Sequence, residues 1–227
     1  MKALTLAAPG QLEYGDVSTI EPCAGEVLVE VRACGICGSD VHGLDGSTGR
    51  RRPPLVLGHE SAGVIARLGP GVSGWSEGTR VTFDSTISCG RCRLCLIGQV
   101  NLCDEKQVLG VSCEDYLKDG AFAEYVAVPA RVLYHLPEDL SFERAVLLEP
   151  LSIAVHAVKR AGILADDTAV VVGTGMVGLL IVQVLRAYGC QRVIGVDIDP
   201  GRLVLAEKFG AKTVSGNSEF VAAFVFE

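Results

Sequence analysis

Cys89, Cys92, Cys95 and Cys103 follow one another as Cys-x2-Cys-x2-Cys-x7-Cys, in a stretch that also carries Gly90, Gly98 and Asn101. That spacing suits one tetrahedral zinc ion with all four positions filled by thiolate. A closed shell leaves no place for substrate, so this metal is expected to hold a loop together rather than to do chemistry. A second set of ligand types is scattered: Cys37-Gly38-Ser39-Asp40-Val41-His42, then Gly58-His59-Glu60, and much later Glu149-Pro150. Thiolate, imidazole and carboxylate together meet the needs of a catalytic zinc, which takes about three protein ligands and keeps one open or water-filled position. Residues so far apart in sequence need a fold to bring them together.

Other readings of the same residues carry less. Disulfides among the four clustered cysteines would need an oxidising compartment. Residues 1–8 reach Pro9-Gly10 before an apolar signal-peptide core has formed, so a cytoplasmic protein is expected, where clustered cysteines are more often metal ligands. An odd total of nine cysteines also argues against a fully paired framework. Cys23, Cys113 and Cys190 are expected to be ordinary buried thiols. Cys34-Gly35-Ile36-Cys37 has the form of a redox pair but lacks the βαβ surroundings such a pair requires.

A third group of residues bears on a nucleotide. Val170-Val171-Val172-Gly173-Thr174-Gly175-Met176-Val177-Gly178 places G-x-G-x-x-G directly after a buried strand and at the opening of an apolar helix. Glycines there permit a tight turn and the close approach of a pyrophosphate, which sits at the positive end of the helix. Asp197 ends the next strand, near the spacing of an acid that hydrogen-bonds the adenosine ribose hydroxyls. Its charge would repel the 2′-phosphate of NADP, so NAD is the expected cofactor.

These groups must be positioned by two kinds of structure. The first part of the chain reads as mostly β, with runs at 27–31, 80–83 and 121–128 separated by glycine and proline. After Pro137 the pattern turns helical, with Ser141 as N-cap and apolar residues to Leu148. A second helix is expected to begin at Pro150, with Glu149 biased out of helical geometry, and to end near Gly162. From Thr168 the order is strand, helix to Tyr188, strand 192–196, helix 200–209 capped by Asp199, and a short strand at 211–214; this alternation signals a parallel α/β sheet. His156, among small and apolar neighbours, is expected to be a packed core histidine, and His135 is given no role.

The 227 residues are 49% hydrophobic with a formal net charge of -7, enough apolar content for one or two domains. That charge excludes a nucleic-acid or anionic-membrane surface, since both need clustered positive charge. The one basic run, Arg50-Arg51-Arg52, is expected either as a solvated loop or, beside an active site, as a guide for phosphate. The apolar stretch 169–185 is interrupted by Gly173, Thr174, Gly175, Gly178 and Gln183, and reads as strand, turn and helix rather than a membrane span.

Two zinc patterns followed by a nucleotide fingerprint, in this order, resemble the zinc-dependent medium-chain dehydrogenase (alcohol dehydrogenase) family, over nearly the whole chain. The resemblance implies a GroES-like β-rich catalytic domain over 1–160 and a Rossmann, doubly wound NAD-binding domain over 161–227. It makes Cys37 and His59 ligands of a catalytic zinc. Glu60 and Glu149 are similar to acids near that metal in the polyol branch, which includes sorbitol, threonine, butanediol and galactitol-phosphate dehydrogenases. It also makes Ser39 and His42 members of a proton relay, and sets Val177, Asp197 and Arg202 against the adenosine half of NAD. The implied reaction is hydride transfer between NAD and a secondary alcohol or polyol, including a phosphorylated polyol. Family members are commonly homo-oligomers.

The family pattern calls for further strands and a longer chain, so the sequence reads as a C-terminally truncated member with an incomplete Rossmann domain. Residues 217–226 carry no family feature. The alternative reading is therefore a non-catalytic zinc-binding fragment of such a dehydrogenase.

Overall fold

The computed structural model describes residues 1–216, so the expectation for residues 217–226 lies outside the described residues. The chain divides into two compact units, Met1–Glu149 and a second that begins at Pro150. The sequence suggested a division at 160/161; the earlier boundary arises because Ala154 and Val158 are buried with Ala169, Val171 and Val182, in the core of the second unit.

The first unit is strand-rich. Its strands are β1 (Lys2–Ala8), β2 (Gln11–Asp16), β3 (Glu26–Gly35), β4 (Leu55–Val56), β5 (Glu60–Leu68) and β6 (Arg80–Phe83). Shorter ones follow: β7 (Thr86–Ile87), β8 (Gln107–Val108), β9 (Val111–Ser112), β10 (Leu117–Lys118), β11 (Tyr125–Pro129) and β12 (Leu133–His135). The central sheet has the order β11-β3-β5-β6-β12, and its neighbours are antiparallel. Val27 and Val29 of β3, Ile65 of β5, Val81 of β6 and Val126 and Val128 of β11 form its core. Each fully buried side chain of this kind contributes about 1.5–3 kcal/mol relative to exposure. Strand 121–128 of the sequence reading starts later, at Tyr125, because residues 121 and 122 hydrogen-bond to the backbone of Gly58 and Leu57 instead.

Helix α1 (Gly38–His42) follows β3, and α2 (Arg93–Leu96) lies among the clustered cysteines. Helix α3 (Phe142–Ala145) is capped as expected: the Ser141 hydroxyl accepts the Arg144 N–H at 3.3 Å. Helix α4 (Leu148–Ala161) begins two residues before Pro150, with Glu149 inside it. Pro150 is tolerated there because first-turn N–H groups have no partner within the helix. Gly162, at φ 64°, follows its end.

The second unit alternates β13 (Thr168–Val172), α5 (Met176–Ala187), β14 (Arg192–Asp197), α6 (Pro200–Lys208) and β15 (Lys212–Ser215). Its strands are parallel, in the order β13-β14-β15. The Asp199 carboxylate caps α6 by accepting the N–H groups of Gly201 and Arg202 at 2.7 and 3.2 Å. Residues 169–185 form the strand, turn and helix expected, and no helix among the described residues is long and apolar enough to cross a membrane.

Three smaller expectations are corrected. His156 is exposed, because the buried face of α4 carries Ala154 and Val158. Cys23 is exposed and Cys113 only half-buried, whereas Cys190 is buried as expected. Arg51 is neither solvated nor free to meet a phosphate: it is 5% exposed and paired with Asp40.

Candidate metal centre and nucleotide turn

Strand register assembles the scattered ligands. Gly35, the last residue of β3, pairs with Glu60, the first of β5. The next turn of chain carries Cys37, and the residue before β5 is His59, so antiparallel pairing places all three at one end of the sheet. Ligand atoms of Cys37, His59 and Glu60 lie within 4.8 Å of one another. Glu149 is not part of that cluster; it reaches Ser85, whose hydroxyl donates to its Oε1 at 3.3 Å.

The electrostatics of this site are those of crowded acids. His59 and Glu60 are 8% and 2% exposed. Burial pushes the Glu60 carboxyl above its ordinary range, against the opposing influence of Cys37 and His59, and burial likewise raises Glu149. Burial also opposes ionisation of Asp40, but His59 and Arg51 outweigh it and hold its carboxyl below the usual range. His59 is raised because Asp40 outweighs its burial. Glu60 Oε1 is buried and finds no hydrogen-bond partner among the described residues. An ionisable oxygen left bare beside a thiol and an imidazole is the donor set a divalent metal satisfies.

Ser39 and His42 are both exposed on α1, three residues apart. Cys34 differs from Cys37 in its surroundings. It packs against the core of the central sheet, and burial pushes its thiol up to about 12, so a redox partnership with Cys37 has no support. His135 stacks on Trp75 with ring centroids 4.2 Å apart.

The four clustered cysteines converge as their spacing predicts, with sulfurs within 4.8 Å of one another. Cys89 and Cys95 are 3.9 Å apart, as are Cys92 and Cys103. Zinc–thiolate bonds of ~2.3 Å in tetrahedral array put sulfurs about 3.8 Å apart. A disulfide, at about 2.05 Å, is excluded for these pairs. Backbone N–H groups of Cys92 and Cys89 point at the sulfurs of Cys89 and Cys103 at 3.3 and 3.2 Å. Backbone donors depress the Cys89 thiol and bring Cys92 to about 6, favouring thiolate at these two, whereas burial pushes Cys95 up to about 12. Leu96, Ile97, Val100 and Leu102 around them are exposed, so this lobe has little apolar core of its own.

In the second unit Gly173 takes φ 88° after β13, and Gly175 caps α5. A Cβ on Gly178 would overlap the Gly173 carbonyl oxygen, so only glycine allows the helix to start so close to the turn. Val177 is part-exposed at the opening of the helix. Asp197 is tied to this turn: its Oδ2 accepts the Thr174 N–H at 2.7 Å and the Thr174 hydroxyl at 3.3 Å, and its Oδ1 accepts the Asp199 N–H at 2.9 Å. The backbone donors hold its carboxyl below the usual range. Arg202 Nη1 stands 3.8 Å from Oδ2. The contribution of Thr174 escaped the sequence reading, although its place between the two glycines was the available signal.

Comparison with known proteins agrees with this geometry. Residues 23–138 match the family described as alcohol dehydrogenase GroES-like domain. D-xylulose reductase A of Aspergillus oryzae is 44% identical over 194 residues, which is 84% of this chain and 53% of that protein. A zinc-binding dehydrogenase of Sinorhizobium meliloti, solved with NADP, is 39% identical with a TM-score of 0.87, covering 94% of this chain and 61% of that one. The Escherichia coli CFT073 alcohol dehydrogenase rspB, solved with NADH, is 37% identical with a TM-score of 0.89, covering 99% and 66%. The chain thus spans between about half and two thirds of the length of these relatives.

Proposed function

The chain belongs to the zinc-dependent medium-chain dehydrogenases of the polyol type, and on that premise we propose that it serves hydride transfer between a secondary alcohol or polyol and NAD, with one catalytic and one structural zinc. The observation that carries this reading is the meeting of Cys37, His59 and Glu60 around a bare buried carboxylate oxygen. These three would hold the catalytic ion, with Glu149 within electrostatic reach of His59. His59 turns Nδ1 toward Asp40, which leaves Nε2 for the metal. Cys89, Cys92, Cys95 and Cys103 would hold the structural ion.

Bound zinc supplies Lewis-acid polarisation that favours loss of an alcohol proton near neutral pH. Ser39 Oγ would accept that proton while giving up its own hydroxyl proton toward a ribose hydroxyl of the cofactor, from which exposed His42 would pass a proton to solvent. In the second unit Gly173, Gly175 and Gly178 admit a pyrophosphate to the start of α5, Val177 lies against the adenosine half, and Asp197 binds a ribose hydroxyl beside Arg202. The negative charge of Asp197 favours NAD over NADP. Burial of Arg51 against Asp40 favours neutral polyols over phosphorylated ones, since it removes the middle of the basic run from reach. The clustering of Cys89, Cys92, Cys95 and Cys103 as metal-type thiolates suits a reducing cytoplasm.

The test is a fluorescence titration of NADH into the zinc-replete chain with Asp197→Ala as control, followed by NAD-coupled oxidation of neutral and phosphorylated polyols. Binding lost in the variant, and turnover of a neutral polyol, are the expected results. Inactivity across the panel with both metal sites filled would overturn the catalytic reading in favour of a zinc-binding fragment.

A further inference from the structure

Arg51 belongs to a run of three arginines, yet its side chain enters the interior of the first unit. Gly43, which closes α1, makes that possible: a Cβ there would overlap Arg51 Cγ. The inner end of the side chain meets the metal-site helix. Its Nη2 stands 3.4 Å from Asp40 Oδ1 and 3.3 Å from Ser39 Oγ, and Nη1 donates to the Arg50 carbonyl at 3.1 Å. Nη2 carries two N–H groups, one for each acceptor on α1. Asp40 Oδ1, in turn, faces His59 Nδ1 at 3.5 Å.

We propose that Arg51 is a positioning residue of the metal site, fixing Asp40 behind His59 through the Nη2 group that it shares with Ser39. The inference rests on the reading of Cys37, His59 and Glu60 as metal ligands. Among these groups the acids are Asp40, Glu60 and Glu149, and Arg51 meets the first of them from inside. A carboxylate that orients an imidazole must itself be held, because a free rotamer would let the ring turn and exchange its nitrogens. Arginine suits the task where lysine does not, since its rigid plane fixes Nη1 on the Arg50 carbonyl while Nη2 meets Asp40 and Ser39, a set of directions that a single rotating ammonium does not hold.

Cobalt(II) binding by the 227-residue chain, with the four-cysteine site first filled with zinc, tests this. Affinity is measured by chelator competition and geometry by the visible absorption bands. Arg51→Lys and Arg51→Met should each lower cobalt affinity by ~10-fold or more and shift the bands. Arg52→Met is the control, because Arg52 pairs with exposed Glu114 on the surface, and it should match the wild type. Should Arg51→Met fail to fold, Arg51→Lys decides, because it keeps a buried cation and most of the stem. Wild-type affinity and unshifted bands in the folded Arg51 variants would overturn the proposal. Failure of the wild type itself to bind cobalt at Cys37 would instead overturn the ligand reading, and the role of Arg51 with it.

Discussion

Gly35 and Glu60 face each other across β3 and β5, and the absence of a side chain on Gly35 is what admits the Glu60 carboxylate: a Cβ there would overlap Oε2. The candidate ligand therefore depends on a residue that touches no metal. Gly35→Ala should push the carboxylate aside, lowering metal affinity at Cys37 and His59 by ~10-fold and costing about 1–3 kcal/mol of stability. Chelator competition and denaturant unfolding measure the two effects; unchanged metal affinity would sink the idea.

Glu60 and Glu149 should separate cleanly. Glu60 lies in the cluster, whereas Glu149 is held by Ser85. Glu60→Gln is expected to weaken cobalt binding by ~10–100-fold and Glu149→Gln by distinctly less. The reverse order would assign the ligand to Glu149.

Cys95→Ser opens the four-thiolate shell. Zinc content by mass spectrometry of the metal should fall from two equivalents to one, and the lobe around α2 should become the first site of proteolysis, since exposed Leu96, Ile97, Val100 and Leu102 give it little core to fall back on. Retention of both ions would reject a structural zinc.

Asp197 gives a pH-dependent signature. Hydrogen bonds from Asp199 and Thr174 depress its folded value below the ordinary one. Its contribution to stability is therefore complete above the ordinary carboxylate value, about 3.9, and is lost as pH falls through the lower folded value. Asp197→Asn should be less stable than the wild type near neutrality, with the gap closing only at acid pH. A gap independent of pH would show that ionisation of Asp197 contributes nothing.

What local sequence determined was the chemistry at each cluster. The Cys89-to-Cys103 spacing reads as one metal shell because short loops constrain four sulfurs regardless of the rest of the fold. The glycines of 173–178 and Asp197 are legible for a similar reason: a strand, a turn and a helix follow each other directly, and only glycine fits at Gly178. Tertiary structure decided what depends on pairing and burial. The sequence offered both Glu60 and Glu149 as acids near the metal, and the register that sets Gly35 against Glu60 brings Glu60 into the cluster with Cys37 and His59. His156 looked buried from its neighbours, but which face of α4 turns inward depends on what packs there. Arg51 looked like a solvated or phosphate-steering charge until the fold gave it a passage past Gly43 and two acceptors on α1, because a long side chain goes where distant elements leave it room.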